Sequence, residues 1–237
     1  MDRVLALTAT ELRLIFRNKT VLTSTLAIPL GLGVFMALTG FGSDSGASVV
    51  AMQLAMVLGL GIYVAATQTL VARRQSLVLK RLRTSGISDA GLLTATIAPV
   101  AVLALAQMVL FVVIDLAIGV PMPSSPFALV LAAVGGLALV VTAALATSVV
   151  TPTPERSQIT TLPLFFVMIG AAVLLAFLPL DGMLSVLNLV PGAPLGSLAN
   201  VAYGGSAFSL MQVVSLVVWP LAFGLLAHRN FRWDARV

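Results

Sequence analysis

The chain has 237 residues, of which 59% are hydrophobic and only 9% are charged, and its formal net charge is +5. Soluble domains carry roughly 25% charged residues, so this composition excludes a soluble enzyme, a nucleic-acid-binding module and a disordered chain. Since the sequence contains no cysteine, it also excludes a disulfide-stabilised scaffold, thiolate metal sites and covalent cysteine chemistry.

The first twenty residues predict an amphipathic helix that lies in the membrane surface. Its apolar face carries Leu5, Leu12, Ile15 and Phe16, and its other face carries mainly Arg3, Thr10, Arg13 and Arg17. Two interpretations remain open: a charged anchor that orients the first span, or an elbow helix that transmits movement from a soluble partner. A signal peptide is disfavoured, because the apolar run after Lys19 exceeds 7–15 residues and no clear cleavage site follows it.

Six charge-free stretches follow, and the shortest holds 24 residues, whereas a spanning helix needs about 20 apolar residues. Segments rich in Gly, Pro and Ser separate several of these stretches and predict turns. Membrane spans are therefore predicted over residues 21–41, 47–71, 92–119, 127–150, 158–179 and 208–227. The predicted fold is a single all-α transmembrane domain over 1–237, with residues 1–20 forming the interfacial helix.

The number of spans depends on the apolar region 180–206, which prolines and glycines interrupt. With six spans, all 13 Lys and Arg residues lie on one side of the membrane, and the other side carries only Asp44 and Asp181. The positive-inside rule then predicts that both termini are cytoplasmic. A seventh span would spoil this asymmetry, so 180–206 is predicted to be an external, partly re-entrant segment of short helices.

Two features inside the spans bear on packing and function. Small residues recur at helical spacing in span four, at Ala132, Gly136, Ala143 and Thr147, and predict close helix packing. Asp115 is the acidic residue inside a predicted span, roughly 35 Å from the cytoplasmic start of span three. It is interpreted either as an interfacial carboxylate that reaches headgroup water or as a group that attracts cations near an exit.

The loop at 73–90, RRQSLVLKRLRTSGISDA, predicts a short amphipathic helix, a tight turn and then span three. Three interpretations compete. Its basic residues anchor to anionic lipid, or they bind nucleic acid, or the loop docks on a cytoplasmic protein whose groove has an acidic rim. Nucleic-acid binding is disfavoured, because aromatic residues are missing and the loop is too short to form a domain.

The run at 79–88, LKRLRTSGIS, resembles the coupling helix of permease subunits of ATP-binding-cassette (ABC) transporters of the type-two exporter class. The amphipathic N-terminal segment, the six spans and the broken segment before span six are similar to this family in layout. The resemblance implies ATPase-coupling residues in this loop and in the loop between spans four and five. They are Leu77, Val78, Leu79, Arg81, Leu82, Arg83 and Thr84, with Glu155 and Arg156.

The resemblance also makes spans two and five the expected walls of the cargo path. The candidate path residues are Gln53, Tyr63, Gln68, Phe165, Phe166 and Asp115. No catalytic or metal-ligating residues are expected. The chain has no G-x-x-x-x-G-K-[ST] motif, so the resemblance implies that ATP and Mg bind to a separate ABC ATPase subunit.

The implied function is a permease subunit of an ABC exporter, drug- or antibiotic-efflux-like, in a bacterial-type inner membrane. Its partners would be the ATPase, a second permease that is identical or homologous, and membrane lipid. The apolar spans favour an amphipathic or hydrophobic cargo such as a drug, an antibiotic or a lipid-like molecule. Three alternatives remain: ABC export of a lipid-linked glycan, a self-sufficient secondary carrier or channel, and an intramembrane enzyme. The enzyme is disfavoured because His228 is the single histidine.

Overall fold

The structure is a computed structural model that describes residues 8–10, 12–13, 16–17, 22–39, 46–76, 89–178 and 182–230. The described residues form helices and connecting turns, with no β-strand among them. Helix α1 comprises a π-helical turn, Thr23–Ala27, and an α-helix, Ile28–Leu38. The long helices are α2 (Ala47–Gln75), α3 (Asp89–Ala117), α4 (Pro126–Val150), α5 (Pro154–Phe177) and α7 (Leu210–Asn230). Between α5 and α7 lie a 3₁₀-helix, Gly182–Leu189, and the short helix α6, Ala193–Ala202.

Five helices, α2 to α5 and α7, are long and apolar enough to cross a membrane. The apolar part of α1, Thr25–Leu38, has 14 residues and is therefore about 21 Å long, shorter than the roughly 30 Å of a hydrocarbon core. Parts of the predicted first span, at 21 and 40–41, lie outside the described residues, and six spans remain a prediction. Of the N-terminal segment, Phe16 and Arg17 are helical and exposed, but the segment as a whole also stays a prediction.

Two helix boundaries differ from the prediction for local reasons. Helix α2 continues past residue 71 to Gln75, so Arg73 and Arg74 belong to its last turn and not to the following loop. Helix α5 begins at Pro154 and not at residue 158, so Glu155 and Arg156 lie in its first turn. The sequence TPE explains this start, because Thr caps the helix, Pro fits its first position and Glu faces the positive end of the helix dipole.

Helix α2 lies at the centre of the bundle. In its apolar window 72% of the residues are buried, against 22–39% in the other four long helices. Its largest fully buried side chains are those of Arg74, Tyr63, Leu58, Ile62 and Leu70. The outer helices turn large apolar side chains outward, such as Val109, Phe127, Ile159 and Leu225. A water-facing surface would not be built this way, and an outward face of this kind matches lipid.

Helices α4 and α7 run in the same direction, since Gly135 faces Leu216 and Gly224 faces Thr142. One end of the bundle, called the basic end below, is where α2, α4 and α7 end and α3 and α5 begin. It carries Arg73, Arg74, Arg156 and Arg229. At the opposite end α3 finishes, and α2, α4 and α7 begin.

Helix α6 fills the interior of the bundle near the opposite end. Nine of its ten residues are buried. A Cβ on Gly196 would come within 1.8 Å of the Ala172 carbonyl oxygen, so the backbones of α6 and α5 are in direct contact. Short helices therefore occupy the region where the sequence predicts a broken segment.

The depth of α6 follows from its neighbours. Leu195, at its start, packs on Gly136, which lies about 15 Å along α4 from Pro126. Its end is tied to the beginning of α4, since the Ala202 carbonyl accepts from the Ser125 backbone N–H and the Ser124 hydroxyl. Leu58 of α2 also packs on Gly136. The small residues of α4 therefore mediate close packing, as the sequence predicts.

Candidate functional site

The predicted coupling residues divide into two groups. Leu77, Val78, Leu79, Arg81, Leu82, Arg83 and Thr84 lie outside the described residues. The structure describes both ends of their loop, which leaves the last turn of α2 and returns at Asp89, the first residue of α3. Glu155 and Arg156 are exposed in the first turn of α5 at the same end of the bundle.

Arg74, in the last turn of α2 before the loop, is fixed by two hydrogen bonds. Only 2% of Arg74 is exposed, and its Nη1 donates a 2.7 Å hydrogen bond to the Ser148 carbonyl. Its Nη2 donates to the Thr151 carbonyl just beyond α4. Carbonyls at a helix C-terminus lack intrahelical partners and carry partial negative charge, so a guanidinium satisfies and stabilises them. Arg74 therefore joins the end of α2 to the end of α4.

Further hydrogen bonds extend this junction to α3 and α5. Arg73 Nη1 donates to the Thr96 hydroxyl of α3 at 3.0 Å. The hydroxyls of Thr151 and Thr160 lie 2.8 Å apart and link the end of α4 to the first turns of α5. The junction defined by Arg73, Arg74, Thr96, Thr151 and Thr160 thus connects four helices at the basic end, where α2 finishes and α3 begins.

The candidate path residues occupy three kinds of place. Tyr63 and Phe165 are buried in the apolar core, where Tyr63 Oη lies 3.0 Å from Thr147 Oγ1. Gln68 and Phe166 lie on the outer surface of the described chain. Gln53 and Asp115 come together, and the Gln53 Nε2 donates a 2.8 Å hydrogen bond to Asp115 Oδ1. The six residues therefore do not line one continuous cavity.

A cavity of about 240 Å³ adjoins the Gln53–Asp115 pair at the opposite end of the bundle. Its walls come from the first part of α2, the last part of α3, the turn before α4, the first part of α4, and Tyr203 after α6. Most of its lining is aliphatic, and Asp115 is the one ionisable acid among the described lining residues. This opposite-end pocket is defined below by Gln53, Phe111, Asp115 and Tyr203.

Tyr203 sits at the end of α6, outside the long helices, and its ring also approaches Gly46. Gly46 has φ +76°, a backbone conformation that glycine adopts readily, and it lets the ring lie against the start of α2. Burial, and then the neighbouring Asp115 carboxylate, raise the pKa of Tyr203 to about 12. Its hydroxyl therefore stays neutral at physiological pH.

A second polar feature lies deeper in the bundle, where the π-helical turn of α1 faces a longer π-helical segment of α2, Val57–Val64. Gln107 of α3 donates from Nε2 to the carbonyls of Thr25 and Leu26, at 3.0 and 3.2 Å. Wide helical turns leave carbonyls poorly paired, and the amide satisfies them. No pattern in the sequence indicates this contact beyond the presence of a polar residue in an apolar helix.

The described residues thus form an all-helical bundle in which hydrogen bonds join four helices at the basic end, where α2 finishes. The sequence contains no G-x-x-x-x-G-K-[ST] nucleotide-binding motif. Residues 17–228 match the family described as ABC-2 family transporter protein. This chain belongs to the ABC-2 transporter family. It is a membrane-spanning permease component of an ABC transporter, and the family implies an ABC ATPase as its partner. No curated protein and no solved structure matches the chain.

Membership in the family assigns the permease role to the helical bundle as a whole and not to individual residues. The permease domain of the ABC-2 family lacks the ATP-binding cassette. The sequence agrees, because its two lysines, Lys19 and Lys80, lie in no glycine-rich phosphate-binding motif.

Proposed function

We propose that this ABC-2 permease is the membrane-spanning half of an ATP-driven exporter in a bacterial-type inner membrane, with both termini in the cytoplasm. Two such permeases, identical or homologous, would form the path, and a pair of ABC ATPase subunits would bind and hydrolyse ATP with Mg. The cargo would be an amphipathic or hydrophobic molecule, such as a drug, an antibiotic or a lipid-like compound, that moves out of the cytoplasm.

The observation that carries this proposal is the family match over residues 17–228, which includes the loop between α2 and α3. A partner ATPase changes shape in the cytoplasm, so the permease needs a cytoplasmic contact that passes the force on. The loop at 77–88 leaves from the Arg74 junction, where α2, α3, α4 and α5 are hydrogen-bonded together. A push on the loop would therefore act on four helices and not on a single flexible strand of chain.

The direction and the cargo rest on sequence. All 13 basic residues fall on one predicted side of the membrane, which assigns the Arg74 end to the cytoplasm. Apart from Asp115, the apolar helices offer few groups for a sugar or a simple ion, which supports a cargo that partitions into lipid. The same scarcity argues against a self-sufficient secondary carrier.

The test is the loop itself, in the chain co-expressed with its cognate ABC ATPase. Leu82→Asp places a charge on the apolar face that we expect to enter a groove of the ATPase. Burying an apolar side chain of this size contributes about 1.5–3 kcal/mol, whereas an exposed ion pair contributes about 0–1 kcal/mol. We therefore expect Leu82→Asp to uncouple transport and to weaken ATPase co-purification, and Arg81→Gln to have a milder, salt-sensitive effect.

Ser76→Asp is the matched control, because Ser76 is exposed at the end of α2 and receives the same charge without changing Val78 or Leu82, the apolar residues of the loop that we expect to enter the groove. It should leave ATPase recovery near the wild-type level at equal membrane abundance. Wild-type recovery with Leu82→Asp would show that the loop is a lipid anchor. Transport by the chain alone in liposomes, driven by an ion gradient, would establish the carrier alternative.

A further inference from the structure

The opposite-end pocket combines an apolar interior with one buried acid. Asp115 is 6% exposed, and among the described residues its carboxylate receives one hydrogen bond, from Gln53. The aromatic rings of Phe111 and Tyr203 also line the space. A carboxylate beside aromatic rings in an apolar cleft is a combination that proteins use to recognise ammonium groups, because the ring faces attract cations as well.

The chain supplies no cation to this acid from the neighbouring helices. The sequence contains no Lys or Arg between Arg83 and Arg156, or between Arg156 and Arg229. Arg73 lies on the same helix as Gln53 but 20 residues further along, about 30 Å away. A buried carboxylate is costly to ionise unless it is paired, so a cation that enters the pocket would supply the partner that Asp115 lacks among the described residues.

The pocket is also open towards the lipid-facing surface. Val112, Leu116 and Val130 line it, and the same residues are 45–58% exposed on the outer faces of α3 and α4. Its volume of about 240 Å³ lies below the roughly 300–1,000 Å³ typical of sites that enclose a drug-sized ligand. The space therefore suits one end of a longer molecule whose remainder stays between the helices and the bilayer.

We propose that the opposite-end pocket binds the ammonium group of a cationic amphiphile, with Asp115 as its counter-ion and Phe111 and Tyr203 as its aromatic walls. The hydrocarbon part of the ligand would leave between α3 and α4 into the membrane. This proposal rests on the proposed export function, and it names the cargo class: molecules with a permanent or protonated amine at one end of an apolar body.

The test is binding of a charge-matched set of probes to the purified full chain in maltoside micelles, where neither membrane charge nor lipid headgroups compete. Hexyltrimethylammonium, hexyl sulfate and hexanol share one tail and differ in charge. Equilibrium dialysis should show that wild-type protein binds the ammonium probe about tenfold or more tightly than hexanol. Hexyl sulfate should bind more weakly than either.

Asp115→Asn keeps an oxygen that accepts from Gln53 and removes the charge. We expect it to lower the affinity for the ammonium probe to that for hexanol and to leave hexanol binding unchanged. Val50→Phe keeps the charge but fills part of the pocket, since Val50 is a lining residue, and it should weaken binding of both probes. Asp181→Asn, at one of the two acids predicted to lie outside, is the control for net charge and should bind all probes as the wild type does.

The outcomes separate the pocket from its alternatives. Equal binding of the three probes to wild type and Asp115→Asn would overturn the proposal. Displacement of the ammonium probe by dihexanoyl phosphatidylethanolamine would assign the site to a lipid headgroup and overturn the cargo assignment, whereas no displacement would support it. Because the assay contains no ATPase, intact Asp115-dependent binding without ATP-driven transport would refute the export function and leave the site in place.

Discussion

At the basic end, hydrogen bonds from guanidinium and hydroxyl groups connect four helices, whereas at the opposite end mostly apolar side chains surround a cavity. At the basic end, the Arg74 guanidinium donates hydrogen bonds to the carbonyls of Ser148 and Thr151, at the end of α4. At the opposite end the Asp115 carboxylate faces an internal space with one donor. The difference indicates that hydrogen bonds hold the helices together at the basic end, whereas the opposite end contains a cavity that can accept a ligand.

The largest loss of stability is expected when the Arg74 side chain is removed. Arg74→Ala deletes two charge-assisted hydrogen bonds, each worth about 1.5–3 kcal/mol, and leaves two carbonyls without their donors. We expect the free energy of unfolding in mixed micelles to fall by about 3 kcal/mol or more. Arg74→Lys should restore only part of this loss, since an ammonium group cannot reach both carbonyls in the same fork geometry.

Arg229→Ala is the control, because it removes the same charge from the basic end at an exposed position in the last turn of α7. Its expected effect is below about 1 kcal/mol. Equal losses for the two variants would mean that net charge at this end matters and that the Arg74 contacts do not.

A second variant tests the close contact between the backbones of α6 and α5 near the opposite end. Gly196→Ala places a methyl group against the Ala172 carbonyl, and neither backbone can yield without moving a helix. Overpacking of this kind destabilises by about 1–3 kcal/mol, so we expect a loss of about 2 kcal/mol, measured by thermal unfolding in detergent. Gly170→Ala on α5, where nothing lies within 4 Å, should be neutral or slightly stabilising. A neutral Gly196→Ala would contradict the observed close approach.

The smallest expected effect lies between the two ends, at the hydrogen bond between Tyr63 and Thr147. Tyr63→Phe removes the hydroxyl and keeps the ring, so the stability should drop by about 0.6–1 kcal/mol, the usual range for hydrogen bonds between membrane helices. A double-mutant cycle with Thr147→Val measures the shared part. Strictly additive losses would show that the two hydroxyls do not interact.

Hydropathy and charge predicted the long helices well, because a charge-free stretch of sufficient length in lipid has few alternatives to a helix. Helix α5 begins at Pro154, before the predicted span at 158–179, and Thr153, Pro154 and Glu155 form a recognisable N-terminal signature. The prolines of this segment also indicate a turn. Hydropathy alone therefore places the start of the span later than the capping pattern does.

The contacts that build the two ends were beyond prediction from one sequence. Arg74 bonds to Ser148, 74 residues away, and Gln53 bonds to Asp115, 62 residues away. Hydropathy assigns each residue to a depth in the membrane but does not say which helix faces it. Arg74 therefore counted only as a topological charge, and Gln53 and Asp115 were named as candidates without being predicted to meet.

The π-helical segment of α2 has a consequence for how these two ends relate. A π turn takes in more residues than an α turn, so Ala47–Met56 and Ala65–Gln75 present faces that one continuous α-helix would not align. The segment sets the rotation about the helix axis between the half of α2 that carries Gln53 and the half that carries Arg74. Tightening one wide turn would rotate the pocket wall about the helix axis while the clamped half kept its partners.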